Sequence, residues 1–355
     1  MSEVLLVKYG GTSVRDAYHI NQVAKRIAGE AEKRSVLVVV SAMAGFTDYL
    51  KEMAEHFYQH PSVEKDYILS TGEEATAALL SLALKSLGVR VKLFYPDMIN
   101  LVVSGGASNG KLIGVNVDRL TSALQNSVVV VPGFFAVRAD GYRITLGRGS
   151  SDLIAIFLAH CLAKAGFDNI DVRIRTDVDG IYTFPPELEF AKKVDELFHE
   201  EVTELARYGA KVMQYEAARF AMEKKVDYWV EASHINVRGS KVHDDVERKA
   251  RVIAVTRQRV ALVEDESGVR VVPRAMLREV LEEGNVGWRR VETEYERVSV
   301  VGYDIQKLSV VDDVVKIAAY LAARNVETAR HRISFVVHSF KVTEAMNRLN
   351  ALVMN

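Results

Sequence analysis

One cysteine in 355 residues, Cys161, excludes an intramolecular disulfide framework and any zinc site built from several cysteines. Surplus charge of either sign is also missing. The chain has 46 Lys and Arg against 47 Asp and Glu, a net charge of −1. A nucleic-acid binder normally carries a basic excess or stripe, so no nucleic-acid partner is expected. No apolar run approaches the roughly 18 residues needed to cross a bilayer, and no basic leader precedes the first strand-like run, Val4–Val7. A cytoplasmic protein without membrane partners is expected. The remaining composition, 49% hydrophobic and 26% charged, is that of a globular chain. Its length calls for two domains.

The first two thirds alternate short β-branched runs with helical spacing. Strand-like runs at Val4–Val7, Val36–Val40, Val91–Phe94, Val128–Val131 and Val172–Arg175 are interleaved with helical patterns at Ala17–Lys33, Glu73–Leu87, Leu120–Gln125 and Leu153–Lys164. Continuous apolar strands between helices predict an α/β domain with a mainly parallel central sheet covered on both faces. Beyond Thr256 the texture changes to short alternating strands (Val260–Val263, Val269–Val272, Val298–Val301, Ile333–Val337) with helices at Arg274–Glu283, Val311–Ala323 and Val342–Leu352. That predicts a small α+β module. The charge-rich stretch Val246–Arg259 marks the boundary, and reads equally well as a surface helix. The expected division is 1–256 and 257–355.

Several strand ends carry residues suited to anion chemistry. Lys8-Tyr9-Gly10-Gly11-Thr12-Ser13 follows the first strand and leads into the first long helix. Paired glycines let backbone N–H groups approach a phosphate, a helix N-terminus favours negative charge, and Lys8 supplies a point charge. A glycine pair at a strand end is also a common structural turn. Thr145-Leu146-Gly147-Arg148-Gly149-Ser150-Ser151-Asp152 precedes the Leu153 helix. Arg148 suits a two-pronged grip on a carboxylate, with Ser151 beside it. Asp152 cannot hold an anion, so it either orients a cation, Lys8 being the natural one, or simply caps the helix. Ser41–Thr47 and Gly133-Phe134 are further strand-end turns, readable as ligand loops or as structure. Ser70-Thr71-Gly72-Glu73-Glu74 reads as a helix start, where Glu73 suits either the dipole or a substrate ammonium. Thr176-Asp177-Val178-Asp179-Gly180-Ile181-Tyr182 offers a nucleotide contact or an ordinary turn. Lys211, after Gly209-Ala210, is a second cation or a solvated one. The nine histidines fall outside these motifs, and His199, His234 and His243, which share no metal-ligand spacing, read as surface residues.

Taken together and in this order, the KxGGTSV and TLGRGxSD elements with the turns between them resemble the aspartokinases of the amino-acid kinase family. The resemblance covers roughly residues 2–245, and the short separation of Thr47 from Glu73 resembles the short-insert type. It implies a three-layer αβα amino-acid kinase fold followed by an ACT-like α+β domain, and a kinase that uses ATP with Mg²⁺ to phosphorylate L-aspartate. By the same resemblance Lys8 and Asp152 are the catalytic pair. Ser41, Thr47, Glu73, Phe134, Arg148 and Ser151 form the amino-acid pocket, and Gly10, Gly11, Ser13, Thr176, Asp177, Tyr182 and Lys211 the nucleotide site. No protein-bound metal site and a homodimer or larger homo-oligomer are implied.

The chain departs from the family pattern in places. Tyr182-Thr183-Phe184-Pro185-Pro186-Glu187 lacks the usual Asp-Pro-Arg and has Glu187 at the Arg position, while Ser150 replaces a glycine. Val298–Asn355 resembles one ACT module, whereas Val260–Arg297 is too short for an intact second. Two other readings fit the departures: a kinase of the same fold acting on homoserine or glutamate, and a non-catalytic regulatory subunit.

Overall fold

The computed structural model describes residues 3–147, 149–210, 212–245, 251–265, 268–277 and 290–353. The chain forms two compact units, Met1–Ile181 with Met213–Asp244, and Tyr182–Val212 with Asp245–Asn355.

The first unit runs β1 (Val4–Tyr9), α1 (Ala17–Ala31), β2 (Ser35–Val40), α2 (Phe46–Phe57), α3 (Val63–Ser86), β3 (Val91–Leu93), β4 (Val102–Ser104), β5 (Lys111–Gly114), α4 (Val117–Leu124), β6 (Val128–Pro132), β7 (Phe135–Arg138), β8 (Arg143–Thr145), α5 (Ser151–Lys164) and β9 (Ile170–Thr176). Helix Tyr215–Lys224 and strands Tyr228–Ala232 and Ser240–Val242 complete it. Every residue of β1 and β6 is buried, as expected of strands with both faces covered. Within this unit the described strands of the central sheet run in the order Ser240–Val242, Tyr228–Ala232, β9, β1, β2, β6, β3, and among these the Ser240–Val242 strand alone runs antiparallel to the next. Alternation along β1 sends Leu5, Val7 and Tyr9 toward Val23 and Ile27 of α1 and Leu80 of α3. Helix α5, apolar almost all round from Leu153 to Leu162, packs against β1, β2 and β9 on the opposite face. A second, four-stranded sheet with the order β5, β4, β7, β8 lies outside the central one. The sequence pattern does not foretell it, because its strands are three or four residues long.

The second unit is built on a five-stranded antiparallel sheet, in the order Gly268–Pro273, Arg251–Asp265, Arg290–Tyr303, Arg332–His338, Arg324–Ala329. Val298, Val300, Ile333, Phe335 and Val337 share a core with Val314 and Ala318 of helix Val310–Tyr320 and Ala345 and Leu349 of helix Val342–Val353. Three expectations are corrected. Residues 251–259 are neither linker nor helix but half of a long strand, paired from Val255↔Val300 to Arg259↔Glu296. Their arginines lie along a paired strand and do not form a surface charge run. Of the helix expected at 274–283, Arg274–Met276 is a single 3-10 turn, and residues 278–283 lie outside the described residues. His199 and His243 are buried at 1% and 6% exposure, whereas His234 is exposed as expected.

Candidate active site

Because β1, β2, β6 and β9 are parallel, their carboxyl ends meet at one edge of the sheet, where open α/β folds bind ligands. The loops that leave this edge are stitched together in sequence. Gly10 N–H donates to the Arg175 carbonyl at 3.2 Å, Ser41 N–H to Tyr9 at 3.1 Å, and Gly133 N–H to Val40 at 2.8 Å. Thr176 closes the row, its carbonyl accepting from Ser233 N–H at 2.9 Å.

Lys8, one residue before the end of β1, faces α5. Its Nζ lies 2.7 Å from Asp152 Oδ1 in the first turn of that helix, with both side chains about one-tenth exposed. Asp152 Oδ2 also accepts from Gln214 N–H at 3.3 Å. Ser150, not Asp152, occupies the cap position of α5, which frees the carboxylate for the lysine. The helix start sits tightly against the β6 turn, where a Cβ on Gly133 would lie 2.4 Å from Ser151 Oγ. Next to it Phe134 adopts φ 71°, and its carbonyl accepts from Leu146 N–H at 2.9 Å and from Ser150 Oγ at 3.2 Å. The glycine-rich loop is thereby fastened at both ends.

On the other side of Lys8, Gly11 lies under the β2 loop. A Cβ there would meet the Ala42 carbonyl at 2.6 Å, and the Gly11 carbonyl accepts from Ala44 N–H at 3.1 Å. Ser13 Oγ is buried with no hydrogen-bond partner among the described residues. The expected dipole of α1 is not delivered here. A 3-10 turn, Gly11–Val14, intervenes, and Asp16 caps α1 by accepting His19 N–H at 2.9 Å.

Glu73 corrects another expectation. It lies well inside α3, which begins at Val63 behind the Ser62 cap, so no helix-terminal dipole steadies its charge. The carboxylate is 3% exposed; Oε1 accepts from Ala42 N–H at 3.1 Å, and Oε2 has no partner among the described residues. Burial pushes its pKa up to about 8, partly opposed by the Ala42 hydrogen bond. A buried acid with one open oxygen suits an incoming cation.

Ser41 and Thr47 are half-buried at the β2 loop and the first turn of α2. Thr176 Oγ1 donates to the exposed Asp177 at 3.0 Å. Tyr182 belongs to the second unit, as do Phe184, buried in that unit's core, and Glu187, paired with Arg257 at 3.0 Å. Arg148 and Lys211 lie outside the described residues.

Two supporting sets escape the motif reading. Arg175, 1% exposed on β9, reaches its cross-strand neighbours Tyr9 (2.6 Å to the hydroxyl) and Glu231 (2.7 Å), and grips Glu30 of α1. Burial raises the Tyr9 pKa, which Arg175 counters. Asp66, fully buried in the first turn of α3, accepts four hydrogen bonds from Ser108 and Thr145. The only sequence signal for Asp66 is its seven-residue spacing from Glu73, which places both on one face of a helix.

The amino acid kinase family model matches residues 3–230. Aspartokinase from Geobacillus stearothermophilus is 35% identical over 254 residues, 70% of this chain and 61% of that protein. Aspartokinase from Mycobacterium tuberculosis is 37% identical over 244 residues, 67% and 57% respectively. The chain thus spans about three fifths of the length of these curated relatives. Among solved structures, E. coli aspartokinase III in complex with aspartate and ADP superposes with a TM-score of 0.82 at 21% identity, covering 99% of this chain and 100% of that one. The fold is therefore that of the aspartokinase structures, and the sheet and helices of the second unit are consistent with a small ACT-like domain. By the family match over residues 3–230, the chain belongs to the amino acid kinase family.

Proposed function

We propose that this protein is an ATP-dependent aspartate kinase that forms 4-phospho-L-aspartate, the first step toward lysine, threonine and methionine. The observation that carries the reading is the buried Lys8–Asp152 ion pair, at the sheet edge where Glu73 and the glycine turns also gather. The curated relatives named aspartokinase support it.

Phosphoryl transfer needs alignment and charge neutralisation rather than covalent help from the protein. An ionised substrate carboxylate is already the nucleophile, so no general base is required. One of its oxygens bonds to the γ-phosphorus as the bridge to the β-phosphate breaks, and ADP leaves. Lys8 faces the transferring oxygens, and Asp152 holds that ammonium in place. Gly10, Gly11 and the buried Ser13 hydroxyl receive phosphate oxygens. Glu73 takes the substrate ammonium, while Arg148, Ser41, Thr47, Ser151 and the Phe134 backbone take its carboxylates. Thr176, Asp177, Tyr182 and Lys211 serve the nucleotide. Mg²⁺ brought in with ATP would supply charge neutralisation at the phosphates, alongside Lys8 and the glycine turn. We propose that the catalytic domain ends before the Arg251–Asp265 strand, ahead of the expected boundary at 256, that a reduced ACT-like domain follows, and that the protein is a cytoplasmic homodimer or larger homo-oligomer.

The test is incubation with Mg-ATP, aspartate and hydroxylamine, which traps an acyl phosphate as the hydroxamate. Glutamate and homoserine run alongside, with ADP release followed for homoserine. Turnover of homoserine without aspartate would replace the proposed substrate. ATP binding without turnover of any amino acid would indicate a regulatory subunit.

A further inference from the structure

We propose that Asp66 is a positioning residue that sets the geometry of the amino-acid pocket by fixing the start of the glycine-rich loop. The inference rests on the proposed function and extends it to a side chain outside every motif. Asp66 is 0% exposed. Its Oδ2 accepts the two backbone N–H groups of Ser108 and Thr145, at 2.8 and 3.1 Å, and its Oδ1 the two hydroxyls of the same residues, at 3.0 and 2.7 Å. A carboxylate with all four acceptor positions filled by donors from two separate segments is a rigid joint.

The joint sits at a telling point. Thr145 is the last residue of β8, and the loop it opens leads within seven residues to Asp152. One turn and two turns further along α3, Ser70 and Glu74 hold Arg143 at the other end of β8, at 3.2 and 2.9 Å. Glu73 and Thr76 of the same helix hold the β2 loop through Ala42 N–H (3.1 Å) and Met43 N–H (3.2 Å). Helix α3 is thus a ruler against which both pocket loops are set. Asp66 is its link to the glycine-rich one.

Asp66→Ala strands the buried Thr145 N–H and the half-buried Ser108 N–H, so the loop should shift to find other partners. Asp66→Asn keeps one oxygen for those amides and turns its NH₂ to the hydroxyls, which can accept. Thr145→Val keeps the amide and removes one hydroxyl. In the full chain, Asp66→Ala should raise the KM for aspartate on the order of tenfold or more. The Kd for Mg-ADP should stay within twofold, Asp66→Asn should remain near wild type, and Thr145→Val should fall between. Hydrogen–deuterium exchange without any substrate reads the positioning directly. Asp66→Ala, or Thr145→Val if the alanine variant does not fold, should speed exchange in residues 145–152 and not in 36–40. An unchanged aspartate KM, an equal loss of nucleotide affinity, or unaltered exchange in 145–152 would overturn the proposal. If wild type does not phosphorylate aspartate, the functional reading fails by itself, and the exchange result still decides the role of Asp66.

Discussion

A buried acid whose pKa stands near 8 makes a pH-dependent pocket, and Glu73 can be tested as one. A substrate ammonium is bound by the carboxylate and not by the neutral acid. At pH 7, one unit below its pKa of about 8, roughly one molecule in ten has Glu73 ionised. Apparent aspartate affinity should therefore be about tenfold weaker at pH 7 than at full ionisation, improving as pH rises toward 8. Binding at pH 7 should also expel close to one proton, visible calorimetrically as a heat that varies with the ionisation enthalpy of the buffer. Stability runs the opposite way. The folded protein keeps a proton that the unfolded chain loses above 4.5, so Glu73 favours folding most below that pH. Its contribution then erodes up to pH 8, by about 5 kcal/mol over the window at about 1.4 kcal/mol per unit. Glu73→Gln retains an acceptor for the Ala42 amide, cannot ionise, and should flatten both profiles. Affinity that does not change with pH between about 6.5 and 8.5, or parallel Tm profiles for wild type and Glu73→Gln, would refute the reasoning.

Three further outcomes are expected. Lys8→Ala and Asp152→Ala should each lower turnover on the order of a hundredfold, the loss of one preorganised charge, and near-normal rates in either would remove the pair from catalysis. Gly133→Ala would put a Cβ 2.4 Å from Ser151 Oγ and displace the start of α5 with Asp152, so turnover should fall about tenfold or more; wild-type rates would contradict this. Arg175→Leu would leave Glu231 and Glu30 beside an apolar side chain. It should cost about 3–5 kcal/mol in chemical denaturation, and an unchanged midpoint would show that the cluster adds nothing to stability.

What the sequence determined by itself is whatever lies within one short segment. Fully apolar runs such as Val128–Val131 identify buried parallel strands, and the Lys8 and Gly147–Asp152 segments mark the strand-end loops, because strand burial and turn chemistry are local. Parallel strands bring their carboxyl ends together, so the convergence of Lys8 with Asp152 was also legible. Tertiary structure decided what depends on partners distant in sequence. Asp66 and Arg175 belong to no motif, and the donors and acceptors that allow them to be buried come from 42 to 166 residues away. The same holds for His199, His243 and the strand at Arg251–Asp265, whose polar residues read as surface until a neighbouring element covers them. Glu73 is legible as a candidate in the sequence, but only packing shows α3 beginning ten residues earlier and burying the carboxylate. Burial, and with it the charge state of that acid, is a property of the assembled fold.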